Sequence, residues 1–261
     1  MLIVVSPAKA LDFESPLPTK KRSMPEMLDR SEELAAIMAR KSPEDLSAMM
    51  SISDDLAALN HERFQDWTTP FTKDNARPAV LAFAGDTYVG LDAPASFGER
   101  DYTHAQKVLR ILSGLHGVLR PLDLIQPYRL EMGSKVEHDR GGDLYSFWGD
   151  QVTDRLNEAL AASPGADALV NLASKEYFSV VRPTRFEGRI ISPRFLDANG
   201  DDDFKIVGFF AKQARGAMAG WMVRKRILTI KALTEFDAHG YRYDPDRSTR
   251  DAPTFTRRNN V

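Results

Sequence analysis

The chain has no cysteine in 261 residues. This excludes disulfides, thiolate metal centres and a cysteine nucleophile, and it fits a reducing compartment. Histidine is scarce. His61, His104, His116, His138 and His239 never fall at HxxxH or HxH spacing. With neither thiolates nor paired imidazoles, no dedicated zinc or iron site and no cofactor is expected. There is no GxGxxG, Walker A or GxSxG motif, so the common dinucleotide, phosphate-loop and serine-hydrolase signatures are missing. No general acid/base pair stands out among the many carboxylates. No apolar run approaches the roughly 20 residues of a membrane helix. The start, MLIVVSPAKALDF, lacks the basic region and apolar length of a signal peptide. A cytoplasmic location without membrane contact is expected. Net charge is only −2, so any electrostatic site must be a local patch.

What is present suits a soluble α/β (α+β) protein. Hydrophobic residues make up 43% and charged residues 28%, which is ordinary for a globular chain long enough to bury a real core. No repeat or interdomain linker interrupts residues 1–261, so one unit is expected, a mixed β-sheet flanked by helices. LIVV at 2–5, AVLAF at 79–83 and ALVNLA at 168–173 read as strands. Residues 189–195 and 204–210 read as a hairpin-like pair around an Asn-Gly-Asp turn. NGDDD at 199–203 lacks the rest of a calcium loop and reads as a solvated turn. Residues 15–26 read as an irregular connection. Helices are expected up to about residue 66, at 102–112, across 144–162 and across 210–228. One of them carries Ser42 as N-cap and Pro43 at the first helical position. The polar tail, 244–261, is expected to be partly loose.

Three of the expected strands run straight into polar loops, and ligands in open α/β sheets sit beyond strand carboxyl ends. If those strands are parallel neighbours, Lys9, Asp86, Asn171, Ser174 and Lys175 converge on one crevice suited to an anion. The alternative is that Ser6 and Ser174 cap helices and the lysines are solvated. The 210–228 helix adds a second cue. At ~100° per residue, Phe210, Ala214, Ala217, Met218, Trp221 and Leu228 share one face. Lys212, Arg215, Ala219 and Arg226 lie opposite. Between Phe204 and Lys231 every charged residue is Lys or Arg (Lys205, Lys212, Arg215, Arg224, Lys225, Arg226, Lys231). Such a one-signed stretch is an anion-binding footprint unless acids elsewhere pair with it.

Residues 109–133, LRILSGLHGVLRPLDLIQPYRLEMG, read as two short helices joined by a glycine turn. This is a helix-hairpin-helix-like element in which Gly114 and Gly117 free backbone N–H groups for phosphate, with Arg120, Tyr128 and Arg129 beside them. The glycines are two residues apart instead of one, and Pro121 and Pro127 shorten the second helix. The competing reading is a tight corner in the core.

The motifs SPAKALD, LAFAGDTYVGL, LSGLHGVLRPLDLIQPYRLEMG, DLYSFWGD, NLASKEYF and FKIVGFFAKQARGAMAGW occur in this order. Together they resemble the YaaA family of peroxide-stress proteins over nearly the whole chain. The resemblance implies a cytosolic protein that limits unincorporated iron under hydrogen peroxide. It also implies an α/β fold with a positively charged cleft and a helix-hairpin-helix-like element, and double-stranded DNA as partner. No catalytic reaction comes with it. Carried over by motif, the DNA- or anion-binding residues are Ser6, Lys9, Gly114, Gly117, Arg120, Tyr128, Arg129, Asn171, Ser174, Lys175, Lys212 and Arg215. The chain departs from the family pattern at Ala10 and Ala84, where SPAKT and FKGD would place a threonine and a lysine.

The function expected is therefore sequence-independent binding of double-stranded DNA through a basic cleft, limiting iron-driven damage. One alternative is an enzyme acting on a nucleotide or nucleic acid in the same cleft, with Lys9 or Lys175 as nucleophile or base. The other is an interaction protein whose basic helix meets an acidic partner.

Overall fold

The apolar run at the N-terminus becomes the middle of the molecule. The computed structural model describes residues 1–199 and 203–258. Leu2–Val5 is buried on both faces, which suits a β-branched run without alternation. It lies at the centre of a five-stranded sheet ordered Gly117–Leu119, Leu109–Ser113, Leu2–Val5, Ala168–Leu172, Arg189–Ile191. Leu109–Ser113 and Ala168–Leu172 run parallel to it on either side. The pairing of Val5 with Leu172 sets two strand carboxyl ends side by side. The mixed-sheet α/β expectation is met in this sheet.

A second, four-stranded sheet is ordered Phe204–Lys205, Arg194–Ala198, Thr254–Arg257, Arg242–Asp244. The tail expected to be loose thus supplies an interior strand. Phe255 and Thr254 are fully buried, and Phe255 stacks on Phe195 at 5.5 Å. Burial of that aromatic outweighs the polarity of its neighbours. The expected pair at 189–195 and 204–210 divides. Arg189–Ile191 joins the central sheet, while Arg194–Ala198 pairs antiparallel with the two-residue strand Phe204–Lys205. The expected turn falls partly on residues 200–202, outside those described.

The 18-residue helix Gly208–Lys225 touches both sheets. Being covered from several sides, it buries Ala219 and Gly220 as well as Ala214, Ala217 and Met218. The expected division into a core face and a solvent face therefore fails, and small residues let neighbours approach all round. Against it lies the helix Asp86–Leu91. A Cβ on Gly216 would sit 1.7 Å from the Thr87 carbonyl oxygen, and one on Gly90 2.0 Å from that of Gln213. Only glycine permits this backbone contact.

Other boundaries moved for local reasons. Residues 79–82 form a helical turn and only Phe83–Ala84 is strand, pairing with Ala10–Leu11. The expected 102–112 helix is Glu99–Val108, followed at once by the strand Leu109–Ser113. The 144–162 helix breaks into Leu144–Trp148 and Gln151–Ala161 at Gly149, whose φ of 53° is left-handed. The Ser42 expectation held. Ser42 accepts from Asp45 N–H at 3.2 Å, and Asp45 accepts from Ser42 N–H at 3.0 Å, a reciprocal cap.

Candidate functional site

The 109–133 segment is not a helical hairpin. Leu109–Ser113 and Gly117–Leu119 form a tight β-hairpin. Gly114 is needed because a Cβ there would meet the Leu130 carbonyl oxygen at 2.3 Å. Gly117 takes a φ of 65° against the Trp148 ring, and Trp148 Nε1 donates to the Gly114 carbonyl at 3.0 Å. Both glycines are packed in the core, so they offer no N–H to solvent phosphate. Tyr128 is buried, its hydroxyl 2.6 Å from Ser113 Oγ, and burial raises its pKa. Arg120 is consumed by Asp123 and Glu26 at 2.9 Å each and by the Met24 carbonyl. The corner-in-the-core reading holds for these four residues.

A helical hairpin does exist elsewhere, at Pro43–Met50 and Asp54–Asp66, with Ser51 left-handed at a φ of 52°. Ser51-Ile52-Ser53 has the one-apolar-residue spacing that the glycines at 114 and 117 lack. Exposed Asp54 and Asp55 fill the first turn of its second helix, so carboxylates already occupy the positive end where phosphate would sit.

A cleft of about 470 Å³ opens beyond the carboxyl ends of Leu2–Val5 and Ala168–Leu172. Ser6, Lys9, Asp86, Ser174, Lys212 and Arg215 all line it. Its base is held by Ser6, whose Oγ accepts from the Ser174 N–H at 2.8 Å and whose carbonyl accepts from Tyr88 at 3.1 Å. Ser174 also caps the short helix Lys175–Phe178. The Ala10–Ala84 strand pair brings Gly85 and Asp86 to the wall. The glycine contact of the long helix with Asp86–Leu91 brings Lys212 and Arg215 in from the other side.

The charges of the cleft are mostly paired. Lys9 meets Glu131 at 2.9 Å, and Arg129 meets the same carboxylate at 3.0 Å. Lys212 lies 3.7 Å from Asp86. Farther along the helix, Arg226 pairs with Asp101 at 2.8 Å and Arg224 bonds Ser96 Oγ at 2.8 Å. Two of the seven cations in the one-signed stretch, Lys212 and Arg226, are thus offset by acids distant in sequence. Arg215 differs. It is half-buried and, among the described residues, has neither an ion pair nor a hydrogen-bond partner. Burial lowers its pKa, with no carboxylate acting to raise it again. A desolvated guanidinium facing a cleft without a counter-ion is poised for an anion.

Over residues 1–247 the chain matches the family model of the peroxide stress protein YaaA. The chain belongs to this family. All the cleft residues lie within the matched range, whereas the buried strand Thr254–Arg257 lies beyond it.

Two candidates stand apart from the cleft lining. Asn171 turns to Ser192 Oγ at 3.4 Å and to the Ala173 N–H at 3.1 Å. Lys175 is exposed on the short helix, whereas its neighbours Glu176 and Tyr177 do line the cleft. Glu176 Oε1 accepts from the Gly133 N–H at 3.0 Å, and burial pushes the Tyr177 phenol well up. Glu131, Glu176 and Tyr177 were not anticipated. The one sequence cue was NLASKEYF itself, where the helix that Ser174 caps fixes which of the next residues turn inward. Among the described residues, no helix is long and apolar enough to cross a membrane.

Proposed function

We propose that this peroxide-stress protein binds double-stranded DNA without sequence preference, with backbone phosphate at the mouth of the cleft. Arg215 carries the reading, because an unpaired half-buried guanidinium gains most from an anion. Lys9 and Lys212 flank it, 62% and 60% exposed and therefore free to exchange a carboxylate for a phosphate. Cations that neutralise phosphates release the counter-ions condensed on DNA. Iron held along the backbone would leave in the same way, which links DNA binding to protection from peroxide without a metal site in the protein.

Three cations imply a modest salt dependence. The slope of log affinity against log salt should be about −0.9 per phosphate neutralised, hence near −3. The test is a salt series on a short random-sequence duplex with the wild type and with Lys212→Glu plus Arg215→Glu. The double variant should lose binding at low salt. Unchanged affinity and slope would place DNA binding elsewhere.

A second reading, an enzyme acting on a nucleotide or nucleic acid, draws support from Asp86 and Glu176, which supply carboxylates that phosphate binding alone does not need. Lys9 is solvated and paired with Glu131, and Lys175 lies outside the lining, so neither has the apolar surroundings that activate an amine.

A further inference from the structure

The cleft has the dimensions of a small-molecule site. Its volume of about 470 Å³ falls within the roughly 300–1,000 Å³ of small-ligand pockets. A duplex, whose major groove alone is about 12 Å wide, lies across such an opening and does not enter it. A bare phosphate would leave most of the space empty. The room comes from small side chains, since Ala10 and Ala84 are direct cross-strand partners on one wall.

The lining is also chemically mixed in a way that a phosphate track is not. Lys9, Lys212 and Arg215 suit a phosphate, while Asp86 and Glu176 repel one. Carboxylates do accept hydrogen bonds from the amino and imino groups on the Watson–Crick edge of a base. Leu172 and the ring of Tyr177 supply apolar surface for the base itself. Outside the lining, Phe209 is 52% exposed. It lies three residues before Lys212 on the long helix, which places the two on neighbouring positions of one face. An exposed aromatic next to a cation fits stacking on bases.

We infer that the cleft accommodates one nucleotide drawn out of the double helix, with its phosphate toward Arg215 and an amino-bearing base toward Asp86 and Glu176. Phe209 then stacks on the bases left behind. The inference rests on the DNA-binding reading above. Extrusion is easiest where a base is already unpaired, so the preferred partner is DNA carrying a bulged, mismatched or gapped position.

The test uses the full chain with two labelled duplexes identical except for one bulged 2-aminopurine, a fluorescent base that bears an exocyclic amine. Binding the bulged duplex about tenfold tighter than the paired one, with a several-fold rise in 2-aminopurine emission, supports the inference. Filling the cleft with Ala84→Phe should then reduce the preference to within about twofold. If that variant misfolds, Ala10→Leu on the facing strand makes the same test, and Phe209→Ala should cut the emission rise. Equal binding of both duplexes with silent 2-aminopurine overturns the inference and leaves the DNA reading intact. No binding of either duplex at low salt overturns both.

Discussion

The backbone N–H of Ser174 donates to the side-chain oxygen of Ser6 at 2.8 Å, across 168 residues of sequence. This bond fastens together the carboxyl ends of two parallel strands and so shapes the cleft floor. Ser6→Ala leaves the Ser174 N–H without its partner and should cost about 1 kcal/mol. Ser6→Thr keeps the oxygen and should restore most of the loss. Thermal melts of the two variants decide it, and equal melting of wild type and Ser6→Ala would remove Ser6 from this role.

Arg215 separates binding from stability. An unpaired half-buried charge costs folding energy, so Arg215→Met should melt at the same temperature as wild type or above it. Its DNA affinity should nevertheless fall, and the salt slope should shrink by about 0.9. A marked loss of stability would mean that the guanidinium has a structural task.

The C-terminal strand should be indispensable. Asp197 is 2% exposed and accepts from Tyr241 Oη and from Arg257 Nε, each at 2.7 Å. Removing Arg257 strands a buried carboxylate, for which about 3–5 kcal/mol is expected. A chain ending at residue 247, where the family match stops, loses Phe255 and Arg257 together and should show no cooperative unfolding. Cooperative melting of that truncation would restore the view of the tail as an appendage.

His116 gives a pH signature. It is fully buried, with its Nδ1 2.9 Å from Ser31 Oγ, and burial lowers its pKa from 6.5 to about 3. The folded state holds the ring neutral, whereas the unfolded chain protonates it below 6.5. The contribution is therefore fully present above pH 6.5 and is lost as pH falls toward 3, at about 1.4 kcal/mol per unit. His116→Gln should flatten the acid limb of stability between pH 6 and 4 by about one proton. Denaturant midpoints across that range are the readout, and parallel curves for variant and wild type count against it.

Several parts of this protein can be read from local chemistry. Ser42-Pro43 with Asp45 three residues on from the cap announces a helix start because a serine oxygen and a missing N–H both suit the first turn. Strands ending in Ser6-Pro7-Ala8-Lys9 and Ala173-Ser174 point to the crevice because an open sheet leaves its carboxyl ends free for polar loops. Residues 109–119 depart from the helical expectation for a physical reason. A strand buried on both faces loses its alternation, so LRILS carries no period to tell it from a helix.

Other features belong to the tertiary structure alone. Lys9 with Glu131, Lys212 with Asp86 and Arg226 with Asp101 are each separated by more than one hundred residues. No local pattern encodes which cation meets which acid, because Coulomb energy depends on distance in space. The sequence by itself determined the residue types that reach the cleft and the strands that carry them. Only folding decided that Lys9 and Lys212 each meet a carboxylate there and that Arg215 faces the cleft without one.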